Sequence, residues 1–282
     1  MKPALRALAN VYLNVAHIKS RLIAFSPRSG NAGIPKPHVG RQLILWLAVA
    51  LLGLPLPLSA TSIVAIRTEA GFVIAADSGS SDDNGKLLPV LTCKVFSVGR
   101  SIVFGIAGIE RAPGFSPEIE LRKHIMGNDL QVMADNIERD INPLLKQQAE
   151  RLRRDVPHKF EELLTNEMFQ FFIATSTGYV SRGYRIALNP DHTIKMLSGE
   201  KDCIGGSCKA GRILRLGHTE EIDSFFASGQ YVRFKSLGDE AKYLVHLEIS
   251  AHPNDTSCPI DLLEITEAGI KWQERKPECK RK

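Results

Sequence analysis

The order of sequence patterns predicts an α+β fold in which antiparallel sheets pack against segregated helices. Three observations carry this. Short β-branched runs crowd the stretch from Ile63 to Ile106. Two helical patterns then follow with no strand between them. Strand signals resume at Phe169 and end in a closing hairpin near Trp272. Strands and helices do not alternate singly, which disfavours a doubly wound parallel sheet.

The elements follow in chain order. Ile63 to Arg67 is a β-branched run, Glu69-Ala70-Gly71 is a turn, and Phe72 to Ala76 returns, so the pair reads as a hairpin. Asp82-Asp83-Asn84-Gly85 is a turn cluster. Lys94 to Val98 and Ser101 to Ile106 read as strands joined at Gly99-Arg100. Ser116-Pro117 then opens a helix, with Glu118 and Glu120 in its first turn. Gly127-Asn128 ends it, and Asp129 caps the next. Leu130, Met133, Ile137 and Ile141 mark one apolar face of that second helix, with a kink expected at Pro143. The charged stretch Lys146 to Asp155 reads as a solvated helical face. Strands are expected at Phe169 to Thr175, Arg182 to Leu188 and Thr193 to Leu197. Asp223 to Phe234 is ambiguous. Leu237 to Ala251 is helical, and Ile260 to Thr266 pairs with Ile270 to Trp272. The tail from Gln273 to Lys282 reads as charged and frayed.

Charge is unevenly spread along the 282 residues. Residues 1–60 hold seven Lys or Arg and no Asp or Glu, leaving 29 basic against 31 acidic side chains beyond them. The body is mildly acidic, which argues against nucleic acid as a partner. With 44% apolar and 24% charged residues the composition is that of a globular protein, which excludes wholesale disorder and a polytopic membrane protein.

Leu43 to Leu58 is an apolar run of 16 residues preceded by Arg41 and followed by Ser59-Ala60. A basic flank, an apolar stretch and a small final residue describe a secretory signal peptide over residues 41–60. The run is shorter than the roughly 20 residues of a bilayer-spanning helix. An uncleaved membrane anchor and a buried core helix are the alternatives, and an uncleaved leader is the one expected route to a membrane. Residues 1–40 form either an N-terminal extension or sequence ahead of a later start, such as Val39. The expected location is therefore the periplasm or the exterior.

Cleavage after Ala60 makes Thr61 the N-terminal residue. Its hydroxyl is then a nucleophile with an α-amine of its own. That amine titrates near pH 8, so part of it is neutral and can accept a proton.

The residues that follow resemble a known family. Thr61-Ser62-Ile63-Val64-Ala65-Ile66, then Gly71-Phe72-Val73-Ile74-Ala75-Ala76-Asp77-Ser78, Lys94-Val95-Phe96 and Gly105-Ile106-Ala107-Gly108 are similar to the start of a proteasome β-type subunit, an N-terminal-nucleophile hydrolase. The family has an aspartate 16 residues after its threonine, as Asp77 stands to Thr61. Lys94 matches the family's lysine after one extra residue, and Gly108 follows it by 14 residues in an Ala-Gly pair. The match is specific over Thr61 to Ile109, is one of pattern through the helices, and is loose beyond. The resemblance implies a four-layer α/β/β/α sandwich, threonine-type peptide hydrolysis without a cofactor, a peptide or protein substrate, and a ring-type homo-oligomer.

It also implies roles. Thr61 is the nucleophile, Lys94 lowers the pKa of its hydroxyl, Asp77 pairs with Lys94, and the Gly108 N–H faces the oxyanion. Ala227-Ser228-Gly229 is similar to a Gly-Ser-Gly segment whose serine lies near the amine. Asp255-Thr256-Ser257 is similar to an Asp-x-x-Ser pair with one intervening residue fewer, and Cys258-Pro259 replaces the glycines expected next. Ile106 and Glu110 fall where the family shapes its specificity pocket. Ala60 stands where family precursors carry a glycine and cut themselves, so a signal peptidase takes over that step. A small-amide hydrolase and a membrane-tethered, catalytically silent assembly subunit are the rival functions.

Of five cysteines, Cys203 and Cys208 are placed to close a small disulfide loop after export, and Cys93 reads as a buried thiol. The eight histidines show no metal-ligand spacing, and no metal is expected.

Overall fold

The computed structural model describes residues 61–81, 87–109, 114–230 and 232–279. The extension over 1–40, the leader over 41–60 and Glu110 lie outside the described residues. No helix among the described residues is long and apolar enough to cross a membrane.

Two five-stranded antiparallel sheets form the centre. Strands and helices are numbered in chain order. The first sheet contains β1 (Ser62–Arg67), β2 (Gly71–Ala76), β8 (Ile213–Gly217), β9 (Asp261–Thr266) and β10 (Gly269–Glu274), in the order β10-β9-β2-β1-β8. The second contains β3 (Val95–Val98), β4 (Ile102–Gly108), β5 (Glu167–Ala174), β6 (Tyr179–Leu188) and β7 (Ile194–Glu200), in that order. The helices are α1 (Pro117–His124), α2 (Leu130–Asp155), α3 (Pro157–Leu163), α4 (Glu220–Ser228) and α5 (Leu237–Ala251).

Three apolar cores separate four layers. Ile63, Ala65, Phe72, Ile74, Val103 and Phe172 fill the space between the sheets. Val64, Ile66, Val73 and Ala75, the alternate residues of β1 and β2, pack on Ile222 of α4 and Leu244 and Val245 of α5. Phe104, Ile106, Phe169 and Phe171 pack on Leu121 of α1 and Ile137, Ile141 and Leu145 of α2. Successive strand side chains point to opposite faces, so a strand covered on both sides must be apolar at every position. That is why β1 and β2 read as unbroken apolar runs. The α/β/β/α sandwich is thus the observed fold.

The local signals act as expected at several ends. Asp129 accepts hydrogen bonds from the N–H groups of Gln131 and Val132 and caps α2. Ser236 accepts from Asp239 N and caps α5. Ser116 precedes Pro117, yet its side chain makes no capping bond. The helix α2 runs on through Pro143 to Asp155, 26 residues in all. Its buried face against sheet two outweighs the single backbone bond that proline removes.

Four expectations need correction or completion. Strand β8 and helix α3 carry too few apolar residues to stand out in the sequence. Of the ambiguous stretch Asp223 to Phe234, the part up to Ser228 belongs to α4. The C-terminal tail is not frayed: β10 continues to Glu274, Lys276 is buried, and Cys279 is joined to Cys93. Cys93 is therefore a disulfide partner and not a thiol. The Cys203–Cys208 bridge is present as expected.

The bridges differ in what they constrain. Cys93 and Cys279 are 186 residues apart, Cys203 and Cys208 only 5. Chain entropy then assigns on the order of 5 kcal/mol to the long loop and about 2 kcal/mol to the short one. Cys93→Ser is expected to lower the thermal midpoint of the mature domain more than Cys208→Ser does, as read by circular dichroism.

Candidate active site

Thr61 enters β1 at the end of the first sheet, where β1 pairs with β2 on one side and β8 on the other. Asp77 is the first residue beyond β2. Its carboxylate closes an Asx-type turn, Oδ2 accepting from Gly79 N at 2.7 Å. The same side chain reaches back to β1, where Oδ1 accepts from Ser62 N at 2.8 Å. A strand-ending turn and a site residue are therefore one and the same. Lys94 immediately precedes β3, and its carbonyl accepts from Ile106 N at 3.0 Å, which fixes it to β4.

The central contact is short and buried. Lys94 Nζ donates to Thr61 Oγ1 at 2.8 Å, and Thr61, Asp77 and Lys94 are all fully buried. Burial depresses Lys94 to about 7, against the opposing pull of Asp77 and with help from the charge of Lys276. Burial likewise pushes Asp77 above the usual carboxylate range, opposed by Lys94, the Ser62 N–H, Lys276 and the Gly79 N–H. A lysine that titrates near neutrality, in contact with a hydroxyl, can share that hydroxyl's proton.

Gly108 ends β4 opposite Phe169. Its φ is +91°, and a Cβ there would lie 2.4 Å from the Met168 carbonyl oxygen, so only glycine fits. Gly79 is just as constrained. A Cβ on it would meet the Asp255 carbonyl oxygen at 2.4 Å and Thr256 Cα at 2.6 Å. The absent side chain lets the 255–257 segment lie against the Asp77 turn. Ser257 joins the site through its backbone: its carbonyl accepts from Ser78 N at 2.8 Å, and its N–H points to Asp77 Oδ2 at 3.4 Å. Ile106 is buried in the core between sheet two and its helices.

Ser228 is not brought to this place. It lies exposed at the end of α4, with Oγ donating to the Phe225 carbonyl, and Gly229 closes the helix in the left-handed conformation. The residue beside Thr61 is His218, whose N–H donates to the Thr61 carbonyl at 2.8 Å. His218-Thr219 follows directly on Gly217, the last residue of β8, whereas Ala227-Ser228-Gly229 lies one helix further on.

His218 brings charges with it. Its Nδ1 lies 3.6 Å from Glu220 Oε2 and its Nε2 lies 3.6 Å from Asp255 Oδ2. Burial alone would depress this imidazole, but the two carboxylates outweigh it and raise it to about 9. Glu220 is held down to about 2, chiefly by His218. His252 stacks on His218 with centroids 4.0 Å apart and planes 8° from parallel. Burial and the neighbouring imidazolium keep His252 below its ordinary value.

No histidine spacing in the sequence suggests a metal, yet the fold brings donor atoms of His218, Glu220 and His252 within 4.8 Å of one another. Imidazole lone pairs lie in the ring plane. In two parallel stacked rings they run side by side and do not converge on one ion. The cluster is better described as an imidazolium clamped by Glu220 and Asp255 and covered by a neutral ring.

No family model matches the sequence, and a search of curated proteins finds no match. Among solved structures the chain is similar to an Anbu Gly-1 mutant from Hyphomicrobium sp. strain MC1, with 14% identity and a TM-score of 0.45 over 77% of this chain and 86% of that one. It is also similar to eukaryotic HslV from Trypanosoma brucei, with 12% identity and a TM-score of 0.40 over 72% of this chain and 99% of that one.

The His218 cluster sets a pH window. A histidine raised from 6.5 to about 9 adds stability that is complete below pH 6.5 and lost as pH rises through about 9. A glutamate lowered from 4.5 to about 2 adds stability that is complete above pH 4.5 and lost as pH falls through about 2. The two shifts share the His218–Glu220 interaction, which solvent screens because Glu220 is exposed, and Asp255 adds to the shift of His218. The depressed Lys94 acts with the opposite sign above about pH 7, so the His218 contribution is read as a difference: in denaturant titrations the stability of wild type relative to His218→Gln is expected to fall between pH 6.5 and 9.

Proposed function

We propose that the mature chain begins at Thr61 and hydrolyses peptide bonds as a threonine-type endopeptidase of the N-terminal-nucleophile kind. The contact of Lys94 Nζ with Thr61 Oγ1 carries this reading. A surface lysine has no reason to be stripped of water and aimed at a hydroxyl. Export through the leader over residues 41–60 is part of the proposal, and two disulfides fit an oxidising compartment.

The chemistry follows from the geometry. Neutral Lys94, or the α-amine that cleavage creates, takes the Oγ proton as Oγ attacks the substrate carbonyl carbon. The carbonyl π pair moves to oxygen, and the Gly108 N–H is the donor assigned to that oxyanion. The C–N bond then breaks, the nitrogen leaves with the proton, and an ester to Thr61 stays behind. Water attacks the ester, giving up a proton to the same base, and frees the acid and Thr61. No cofactor is needed for any step. His218, held as an imidazolium, places a fixed positive charge one residue-pair from the new amine and favours its neutral form. A ring-type homo-oligomer belongs to the same reading and is checked by the mass of the exported protein in solution. A small-amide hydrolase would use the same steps and is separated by a substrate panel.

Mass spectrometry of the exported protein is expected to give a chain starting at Thr61. A mature terminus elsewhere removes the nucleophile. An epoxyketone, which closes a ring on an adjacent hydroxyl and amine, is expected to add one inhibitor mass at Thr61 and none to Thr61→Ala. Failure across apolar, basic and acidic side-chain series, on protein proven to begin at Thr61, sinks the reading. Lys94→Ala and Asp77→Asn are each expected to cut turnover on the order of 10²-fold or more while leaving a folded, exported protein.

A further inference from the structure

We infer that Lys276, carried by the C-terminal segment and clamped there by the Cys93–Cys279 disulfide, is a positioning residue for the Asp77–Lys94 pair. The sequence marks Lys276 only as one charge in a charged tail. In the fold it is 1% exposed. Its Nζ donates to the Asp77 carbonyl at 2.6 Å and to the Thr92 carbonyl at 2.9 Å, and lies 3.1 Å from Asp261 Oδ2. Its backbone N–H donates to Asp261 Oδ1 at 2.7 Å. One ammonium thus ties together the end of β2, the residue two before Lys94, and the start of β9.

The charges form a closed set. Asp77, Lys94, Asp261 and Lys276 are all at most 1% exposed, two of each sign. Glu278 adds a weaker attraction to Lys276 from the tail itself. Removing Lys276 leaves the set one positive charge short and frees two backbone carbonyls beside the site. Lys276 also acts on Lys94 directly. Like charge disfavours the ammonium of Lys94, so its loss favours that ammonium.

The clamp makes this contact conditional. Cys93 lies between Thr92, which accepts from Lys276, and Lys94, which donates to Thr61. Cys279 closes a single turn back to the Lys276 carbonyl, with its N–H at 3.0 Å. Reduction of Cys93–Cys279 therefore releases the segment that delivers Lys276. Dithiothreitol does this by thiol–disulfide exchange: the bridge becomes two thiols, and the reagent is oxidised to its cyclic disulfide.

The link to rate rests on the threonine-nucleophile reading, whereas the effect on Lys94 does not, so two measurements are paired. The first is the pH dependence of epoxyketone labelling at Thr61 in the exported protein. Lys276→Met is expected to slow labelling at pH 7 by about 10- to 10²-fold, as a small misplacement of a catalytic group does. Its acid limb is expected to move to higher pH, and Lys276→Arg to recover part of the rate. Dithiothreitol is expected to act in the same direction on wild type. The double variant Cys203→Ser/Cys208→Ser is expected to label at the wild-type rate and to keep the dithiothreitol response, which assigns that response to Cys93–Cys279.

The second is the titration of the Lys94 side chain by NMR, which reads out with or without activity. Its midpoint is expected to rise in Lys276→Met and, to a lesser extent, in reduced wild type. An unchanged midpoint together with an unchanged labelling profile in folded Lys276→Met overturns the inference. A raised midpoint in a protein that no epoxyketone labels supports the positioning role and counts against the nucleophile reading alone. If Lys276→Met does not fold, Lys276→Gln and the reduced wild type decide by the same two criteria.

Discussion

Burying the ammonium of Lys94 is the constraint around which the active end of this molecule is built. A charge taken out of water costs several kcal/mol unless partners replace its hydration. Asp77 supplies the opposite charge but is itself buried, so it needs donors of its own. It finds them in Ser62 N and Gly79 N. Those two bonds dictate where β1 starts and how the chain turns after β2. Gly79 must then lack a side chain, because the 255–257 segment comes within contact distance of where one would be. Much of the local architecture follows from giving one buried carboxylate its donors.

How much of this the sequence discloses depends on the range of the interaction. Strands β1, β2, β9 and β10 are legible because both faces are covered or a glycine turn joins them. The α2 and α5 helices are legible from their apolar stripes and from the caps Asp129 and Ser236. Thr61, Asp77, Lys94 and Gly108 are singled out by the resemblance, which is specific over that one stretch of chain. What fails is long-range. β8 has only alternate buried residues over five positions and no flanking turn signal strong enough to mark it. Without β8 nothing in the sequence points to His218 as the residue that meets Thr61, and the resemblance falls on Ser228, which lies exposed. Lys276 stands 199 residues from the carbonyl it binds, and nothing near it in the chain hints at burial. A charged tail and a buried electrostatic anchor look alike in composition.

The two sides of Thr61 are solved differently. On the Lys94 side, charges are matched inside the protein and water is excluded. On the His218 side, an imidazolium bridges Glu220 and Asp255, which are partly exposed. The stacked His252 ring covers it without adding charge. An imidazolium offers a field that acts on any ionisable group placed next to the Thr61 carbonyl. His218 sets the electrostatics of that flank, while backbone pairing holds β1 to β8.

The uncleaved chain already holds the contact between Lys94 and Thr61. With Ala60 attached, the Thr61 nitrogen is an amide, whose lone pair is delocalised into the carbonyl and cannot serve as a base. The hydroxyl, the lysine, the aspartate and the left-handed glycine are in place before any bond is cut. Cleavage would therefore not need to rearrange the fold. It would change one nitrogen from an amide to an amine, and the last proton acceptor would appear inside a site that folding had already assembled. Under the proposed maturation, the costly step, burial of charged groups, would be completed while Thr61 still lacks its amine.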